Sequence, residues 1–341
     1  MRALIAMSGG VDSSVAALLA IKDGLTCVGG TMHLHDTACA ADAAAVAQRL
    51  GIPFYEFDCR EPFRKLVMDY FVRCYEEGGT PNPCIECNRH LKFGLLSELA
   101  QELDCHYVVT GHYARIEKDE ASGRYLLKKA TDESKDQSYF LCRLNQNQLA
   151  HTLFPLGSLT KAEARRIAEE NGFINAKKKD SQDICFVPDG DYMAFLEQYT
   201  AKVYPCGDFL DQNGKVVGRH RGAVAYTIGQ RKGLGLAMGQ PVYVCGKDMD
   251  SNTVTVGSNE SLFQHELWAD DWNWISIPGL TEPLRCKAKA RSRMTEQEAT
   301  VYPAENGRAR VVFDQPQRAI TPGQAVVLYH EDSVIGGGTI I

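Results

Sequence analysis

The chain has 341 residues, enough for two or three domains that each bury a core of their own. Its 44% hydrophobic and 23% charged residues form a globular balance that excludes a disordered or fibrous chain, and no apolar run nears the ~20 residues of a membrane-spanning helix. A net charge of −6 argues mildly against a nucleic-acid partner, and twelve scattered cysteines argue against a disulfide scaffold and for a reducing cytoplasmic setting, where thiols are buried, metal-binding or catalytic.

The opening residues MRALIAMSGG form a short apolar run closed by glycines, which reads as a buried strand and not as a cleavable leader. Strands expected at 3–7, 26–34, 53–58 and 107–110 alternate with helical stretches at 12–22, 40–50, 62–76 and 88–103. That alternation predicts a parallel sheet covered by helices, an α/β fold. Thr160 and Glu163 have capping-box spacing before a helix that stops at Asn171-Gly172. Beyond about Tyr199 the segments shorten and turn residues multiply, with Asn213-Gly214 placed for a hairpin between 208–210 and 215–217. The expected units are an α/β domain at 1–200, a central β module at 201–265 and a C-terminal β-barrel module at 266–341.

Ser8-Gly9-Gly10-Val11-Asp12-Ser13-Ser14 follows the first strand and opens the first helix. Glycines there let backbone amides turn inward as an anion nest, and the helix start adds partial positive charge. Ser8, Ser13 and Ser14 carry hydroxyl donors for phosphate oxygens, and Asp12 is placed to orient a metal ion or cap the helix. No lysine follows as in a Walker A loop, and the Gly-x-Gly-x-x-Gly spacing of a dinucleotide site is absent. The loop resembles the pyrophosphate loop of the N-type ATP pyrophosphatases, adenine nucleotide alpha hydrolase-like enzymes that cleave ATP to AMP and pyrophosphate while activating an oxygen.

Thr80-Pro81-Asn82-Pro83-Cys84-Ile85-Glu86-Cys87-Asn88 sets two thiols three residues apart. With the helix expected from Asn88, Cys87 would sit at a helix N-terminus, where a thiol pKa falls. Cys185 lies in Asp180-Ser181-Gln182-Asp183-Ile184-Cys185-Phe186, and the other nine cysteines are assigned to packing. Catalytic sulfur chemistry and an iron–sulfur cluster on Cys84, Cys87 and Cys185 both remain open. A zinc site lacks a second ligand pair.

Together with Thr110-Gly111-His112-Tyr113-Ala114-Arg115, Lys135-Asp136-Gln137-Ser138-Tyr139 and Tyr226-Thr227-Ile228-Gly229-Gln230-Arg231, these motifs occur in an order that resembles the bacterial-type tRNA-specific 2-thiouridine synthases from end to end. The resemblance implies 2-thiolation of the tRNA wobble uridine, with ATP and Mg2+, tRNAs for Lys, Glu and Gln, and a sulfur-relay or cysteine desulfurase donor. It implies ATP binding by Ala6, Met7, Ser8, Gly9, Gly10, Val11, Asp12, Ser13, Met32 and Gly111, and contact with the target base by Asn82, Pro83 and Cys84. It makes Cys87 the nucleophile and Cys185 the persulfide carrier, the two ending as a disulfide. It places His112, Lys135, Asp136, Gln137, Arg291, Ser292 and Gln324 against tRNA. Three departures stand out: Cys84 where some members carry Asp, Ser292 where an aromatic is frequent, and a short segment between Met32 and Asp42. The alternatives are the same chemistry on a [4Fe-4S] cluster, another adenylating enzyme of the loop family such as a 2-thiocytidine or 4-thiouridine synthase, and a non-catalytic tRNA-binding or iron–sulfur carrier protein.

An acidic chain needs local basic strips to hold RNA. Lys287, Lys289, Arg291 and Arg293 alternate with small residues, and on one strand all four cations would share a face. Lys177-Lys178-Lys179 and Arg219-His220-Arg221 are two further candidates.

Overall fold

The computed structural model describes residues 1–35, 40–176, 178 and 184–341. Five parallel strands form the first sheet: β1 (Arg2–Ala6), β2 (Thr26–His33), β3 (Phe54–Asp58), β4 (Tyr107–Val109) and β7 (Thr152–Leu153), ordered β3-β2-β1-β4-β7. Because β1 is central, its side chains serve both faces. Ala3 and Ile5 pack with the helices α1 (Val11–Lys22) and α2 (Ala40–Leu50), and Leu4 packs on the opposite side with Leu96, Ala100 and Val108. Burial on both faces explains the unbroken apolar run in the sequence. The chain runs outward from β1 to β2 and β3, then returns to β4 on the other side of β1. That reversal opens a crevice at the carboxyl ends of β1 and β4, the place where sheets of this type bind ligands.

Two expected helices depart from their anticipated form. The stretch anticipated at 62–76 is an α-turn Arg60–Phe63, a π-helix Arg64–Met68 and an α-helix Asp69–Glu76. The stretch anticipated from Asn88 starts earlier, at Pro83, as an α-turn Pro83–Glu86 that continues into a π-helix Cys87–Leu95 and an α-helix Leu96–Glu102. Proline has a φ suited to a first helical turn, so Pro83 begins the helix and does not merely stiffen the approach to it. The capping box forms as expected: the Thr160 amide donates to Glu163 Oε2 at 2.8 Å and the Glu163 amide to Thr160 Oγ1 at 3.2 Å, opening the helix Lys161–Glu170.

The central β module consists of β8 (Gly207–Leu210), β9 (Val216–His220), β10 (Tyr243–Asp248) and β11 (Thr253–Gly257), with the anticipated turn at Gly214 joining β8 to β9. Its core takes in Met193 and Leu196 of the helix Tyr192–Thr200 as well as Phe71 and Tyr75. The last module closes six antiparallel strands into a barrel: β12 (Phe263–Trp274), β13 (Leu284–Lys289), β14 (Gln297–Pro303), β15 (Ala309–Arg318), β16 (Ala325–His330) and β17 (Ser333–Ile340), with β12 pairing to both β15 and β17. A hairpin that the periodicity did not signal, β5 (Ala114–Lys118) and β6 (Tyr125–Lys129), extends the barrel sheet at Lys128–Ser333.

The fully buried Tyr139 hydroxyl donates to Ala325 O at 2.8 Å, tying the first unit to the barrel. Tyr139→Phe leaves that carbonyl buried without this donor and should cost about 1–3 kcal/mol, read as a lower urea midpoint.

Candidate active site

A cavity of about 230 Å3 occupies the crevice at the ends of β1 and β4. Of the residues expected to hold ATP, Ala6, Met7, Ser8, Asp12, Ser13, Met32 and Gly111 line it, as do two expected tRNA contacts, His112 and Gln137. Gly9, with φ +69, and Gly10, which opens α1, shape the loop behind this lining, while the Val11 side chain is buried in the core. Ser13 Oγ receives the Ser8 amide at 3.3 Å, which draws the loop into a ring. Ser14 corrects one expectation: it is fully buried, donates to Gly10 O at 3.0 Å and accepts from Asn175 Nδ2 at 2.9 Å, so its hydroxyl holds the loop from inside and does not face a phosphate.

Asp12 does not cap α1, a place taken by Gly10. Its carboxylate instead receives the Lys161 ammonium on both oxygens at 2.8 Å and the Tyr113 hydroxyl at 2.9 Å. Lys161 and Tyr113 escaped sequence reading because each sits inside a pattern with another explanation, a capping box and a strand end. Gly111 is required sterically: a Cβ there would lie 2.6 Å from the Asp12 carbonyl carbon and 2.7 Å from the Ser13 amide nitrogen. His112 accepts or donates at Nδ1 to Thr110 Oγ1 at 2.8 Å, and burial together with the nearby Lys92 charge keeps its imidazole neutral, its pKa held well below the usual value.

The thiols neighbour one another beside an apolar cluster that adjoins this crevice through Met32 and Leu34. Cys87, only 7% exposed, packs with Cys59, Phe63, Val67 and Leu91, and Phe186 packs against the same cluster. Phe186 meets Phe63 and Phe71 edge-on, which delivers its neighbour Cys185 toward Cys87 from far along the chain. Cys84 and Cys185 are exposed, and all three are free thiols. The expected lowering of the Cys87 pKa is overturned: the helix begins at Pro83, so Cys87 lies past its first turn, and burial pushes the thiol up while Lys92 alone draws it down. Protein around Cys84 raises its thiol even though the side chain reaches solvent. Cys185 is pushed up to about 11, first by burial and then by the neighbouring Cys87 and Cys84. Among the described residues no group of three His, Cys, Asp or Glu side chains is placed to hold a metal ion. Of the nine cysteines assigned to packing, Cys206 is exposed and Cys245 half-buried, and Cys39 lies outside the described residues.

Asn82 is half-buried and Pro83 buried beside Cys84. Gln324 donates to Thr80 O at 2.8 Å and so clamps the loop that leads to them. Asp136 accepts from the Ala130 amide and the Ser138 hydroxyl, closing its own turn, while Lys135 and Ser292 are half-buried. The basic strip is shorter than expected. Lys287 and Lys289 project from β13 between the buried Ala288 and Ala290, but the strand ends at Lys289. Arg291 turns inward to donate to Ile228 O at 3.0 Å and to Thr321 Oγ1. His220 is buried, which divides Arg219 from Arg221, and Lys178 pairs with Asp42 at 2.8 Å; Lys177, Lys179 and 180–183 lie outside the described residues.

Fold and site define a nucleotide-binding α/β protein with free thiols near its crevice and two β modules appended. The family described as tRNA methyl transferase HUP domain matches residues 1–189, its PRC-barrel domain 193–258, and the aminomethyltransferase beta-barrel domain 264–340. The chain is 50% identical to a tRNA-specific 2-thiouridylase MnmA of Symbiobacterium thermophilum over 99% of its length and 92% of that protein's. It is 47% identical to the namesake of Clostridioides difficile (99% and 98%) and 46% to that of Acetivibrio thermocellus (99% and 99%). The chain belongs to the tRNA-specific 2-thiouridylase family. The domain descriptions speak of methyl transfer, but the near full-length relatives are named for thiolation, and full-length identity is the stronger guide.

Gly111→Ala must push the Asp12–Ser13 backbone aside and should weaken ATP binding tenfold or more, about 1.4 kcal/mol, by calorimetric titration. With its thiol at about 11, Cys185 should alkylate with iodoacetamide roughly tenfold faster per pH unit between pH 7 and 10, and a plateau below pH 8 would contradict the burial described.

Proposed function

We propose that this chain catalyses ATP-dependent 2-thiolation of the wobble uridine in tRNA. The observation that carries the reading is 50% identity over nearly the full length with a protein named for that activity, and the crevice with a thiol cluster adjoining it supports it. ATP lies over the Ser8–Ser13 loop with its triphosphate toward the start of α1. Magnesium enters with the triphosphate; Asp12 is the carboxylate lining the cavity, and one carboxylate plus phosphate oxygens is a normal Mg2+ environment.

The uracil O2 attacks the α-phosphorus, the α–β bridge breaks, and pyrophosphate leaves. The C2 oxygen is then an AMP ester and a competent leaving group. The terminal sulfur of a Cys185 persulfide bonds to C2, and Cys87 attacks the inner Cys185 sulfur. The S–S bond breaks, AMP departs with the former C2 oxygen, and Cys87 and Cys185 are left as a disulfide. The sulfane sulfur gains the two electrons that the two cysteines lose, and a dithiol reductant resets the pair.

Reaching a buried crevice requires the base to leave the anticodon stack. Asn82, Pro83 and Cys84, at the start of the helical segment that leads to Cys87, would receive it. Lys135, Lys287 and Lys289 offer charge to the tRNA backbone, whereas Asp136, Arg291 and Gln324 act by fixing loops. In this reading residues 1–200 perform the chemistry while 201–265 and 266–341 grip the RNA. Lysine, glutamate and glutamine tRNAs are the substrates, a sulfur-relay or desulfurase protein is the donor, and the enzyme works in the cytoplasm.

Mass analysis of wobble nucleosides from cells with and without the protein tests the reaction. Cys87→Ser and Cys185→Ser should each abolish 2-thiouridine formation, yet Cys87→Ser should retain tRNA-dependent pyrophosphate release. Normal thiolation by either variant would sink the assignment of the two sulfurs.

A further inference from the structure

Lys92 stands where the nucleotide crevice meets the thiols. In an α-helix a residue five positions on is turned about 140° away. The segment Cys87–Leu95 is instead a π-helix, whose wider i→i+5 turn brings the fifth residue round to about 50° from the first. Lys92 therefore rises one turn above Cys87 on the same face. Its side chain is half-buried and lines the cavity together with Ser8, Asp12, Ser13 and His112. It carries no hydrogen bond or ion pair among the described residues, whereas the other ammonium beside this crevice, Lys161, is engaged by Asp12. An ammonium held half out of water, with no counter-ion among the described residues, and lining a crevice suited to phosphate is a charge that awaits an anion.

We propose that Lys92 is a catalytic residue that serves both stages of the reaction: its ammonium contacts the α-phosphate oxygens during adenylation, then stabilises the anionic sulfur of Cys87 during sulfur transfer. The proposal rests on the thiolation reading above and assigns to one side chain the link between its two half-reactions. Two further facts support it. Among the described residues, Lys92 is the cation whose charge favours the thiolate at both Cys84 and Cys87, against burial that opposes it. It also acts on Cys185 and on His112, so its field spans the whole distance from strand end to thiols. As the pyrophosphate leaves, the single negative charge remaining on the adenylate and the charge on Cys87 compete for the same ammonium, and Lys92 favours whichever is developing.

Full-length protein carrying Lys92→Met, which keeps the chain length and removes the charge, and Lys92→Arg, which keeps the charge, supply the test. The Cys87 alkylation rate with iodoacetamide, followed against pH by peptide mass spectrometry, should fall roughly fivefold or more at pH 8 in Lys92→Met with the profile moved to higher pH. Lys92→Arg should restore most of it. In a Cys87→Ser background, where sulfur transfer is blocked but adenylation is retained, Lys92→Met should reduce tRNA-dependent pyrophosphate release about tenfold, with a smaller change in ATP affinity. An unchanged alkylation profile, or equal losses in Lys92→Met and Lys92→Arg tracking a lower unfolding midpoint, would overturn the proposal. The alkylation arm needs neither tRNA nor ATP, so an absence of pyrophosphate release in the parent protein would count against the thiolation reading and leave the Lys92 test intact.

Discussion

The constraint on which the functional part of the molecule depends is the approach of the segment after β4 to the beginning of α1. At Gly111 the two backbones leave no room for a Cβ, and that contact brings the ends of β1 and β4 into one crevice. Everything functional is arranged around it. The Asp12 carboxylate is held at its edge by Lys161 and Tyr113, and the loop serines are fixed from inside by Ser14 and Asn175. Because these groups are already ordered by the fold, little of the entropy cost of fixing phosphate ligands falls on the moment of binding.

The second constraint pulls in the opposite direction. A cysteine that must attack is most useful as a thiolate, yet Cys87 is packed in an apolar cluster that favours the neutral thiol. The same cluster is what gathers the chemistry, since Phe186 anchors Cys185 to it through edge-on contacts with Phe63 and Phe71. Proximity is thus obtained at the expense of ionisation. A resting thiol that is largely neutral resists adventitious oxidation, and it ionises most readily beside the Lys92 charge, at the border of the nucleotide crevice.

The sequence was most legible where a single local rule applies. The β1 strand, α2, the capping box at Thr160 and the phosphate loop all follow from apolar runs, alanine content, side-chain spacing and glycine placement. It was least legible where tertiary packing chooses between nearly equal local options. A π-helix at 87–95 and an α-helix have the same side-chain pattern over so short a stretch, so the pairing of Cys87 with Lys92 could not be read from spacing. The basic strip shows a related limit: alternation correctly separated the buried Ala288 and Ala290 from the exposed cations, but where the strand stops depends on Arg291 finding Ile228 O and Thr321. Net charge was a poor guide for the same reason, because RNA responds to the local placement of a few cations and not to the sum over the chain.

The position of the thiol helix is not set by the α/β domain alone. The loop before Pro83 is held by the barrel, through Thr80 N to Pro322 O at 2.8 Å and Gln324 Nε2 to Thr80 O at 2.8 Å, and by the central module, through Thr80 and Thr227 hydroxyls 3.4 Å apart. Gly323 lies so near that a Cβ on it would stand 2.5 Å from Cys74 Sγ and 3.0 Å from the Thr80 amide. Three parts of the chain thus converge on one short loop that leads into the first turn of the helix that carries Cys84 and Cys87. The same short backbone segment that positions the thiols is therefore fixed by contacts from both β modules. A packed junction of this kind has few intermediate arrangements, which suits a site that should assemble around its own substrate and not around free nucleotide alone.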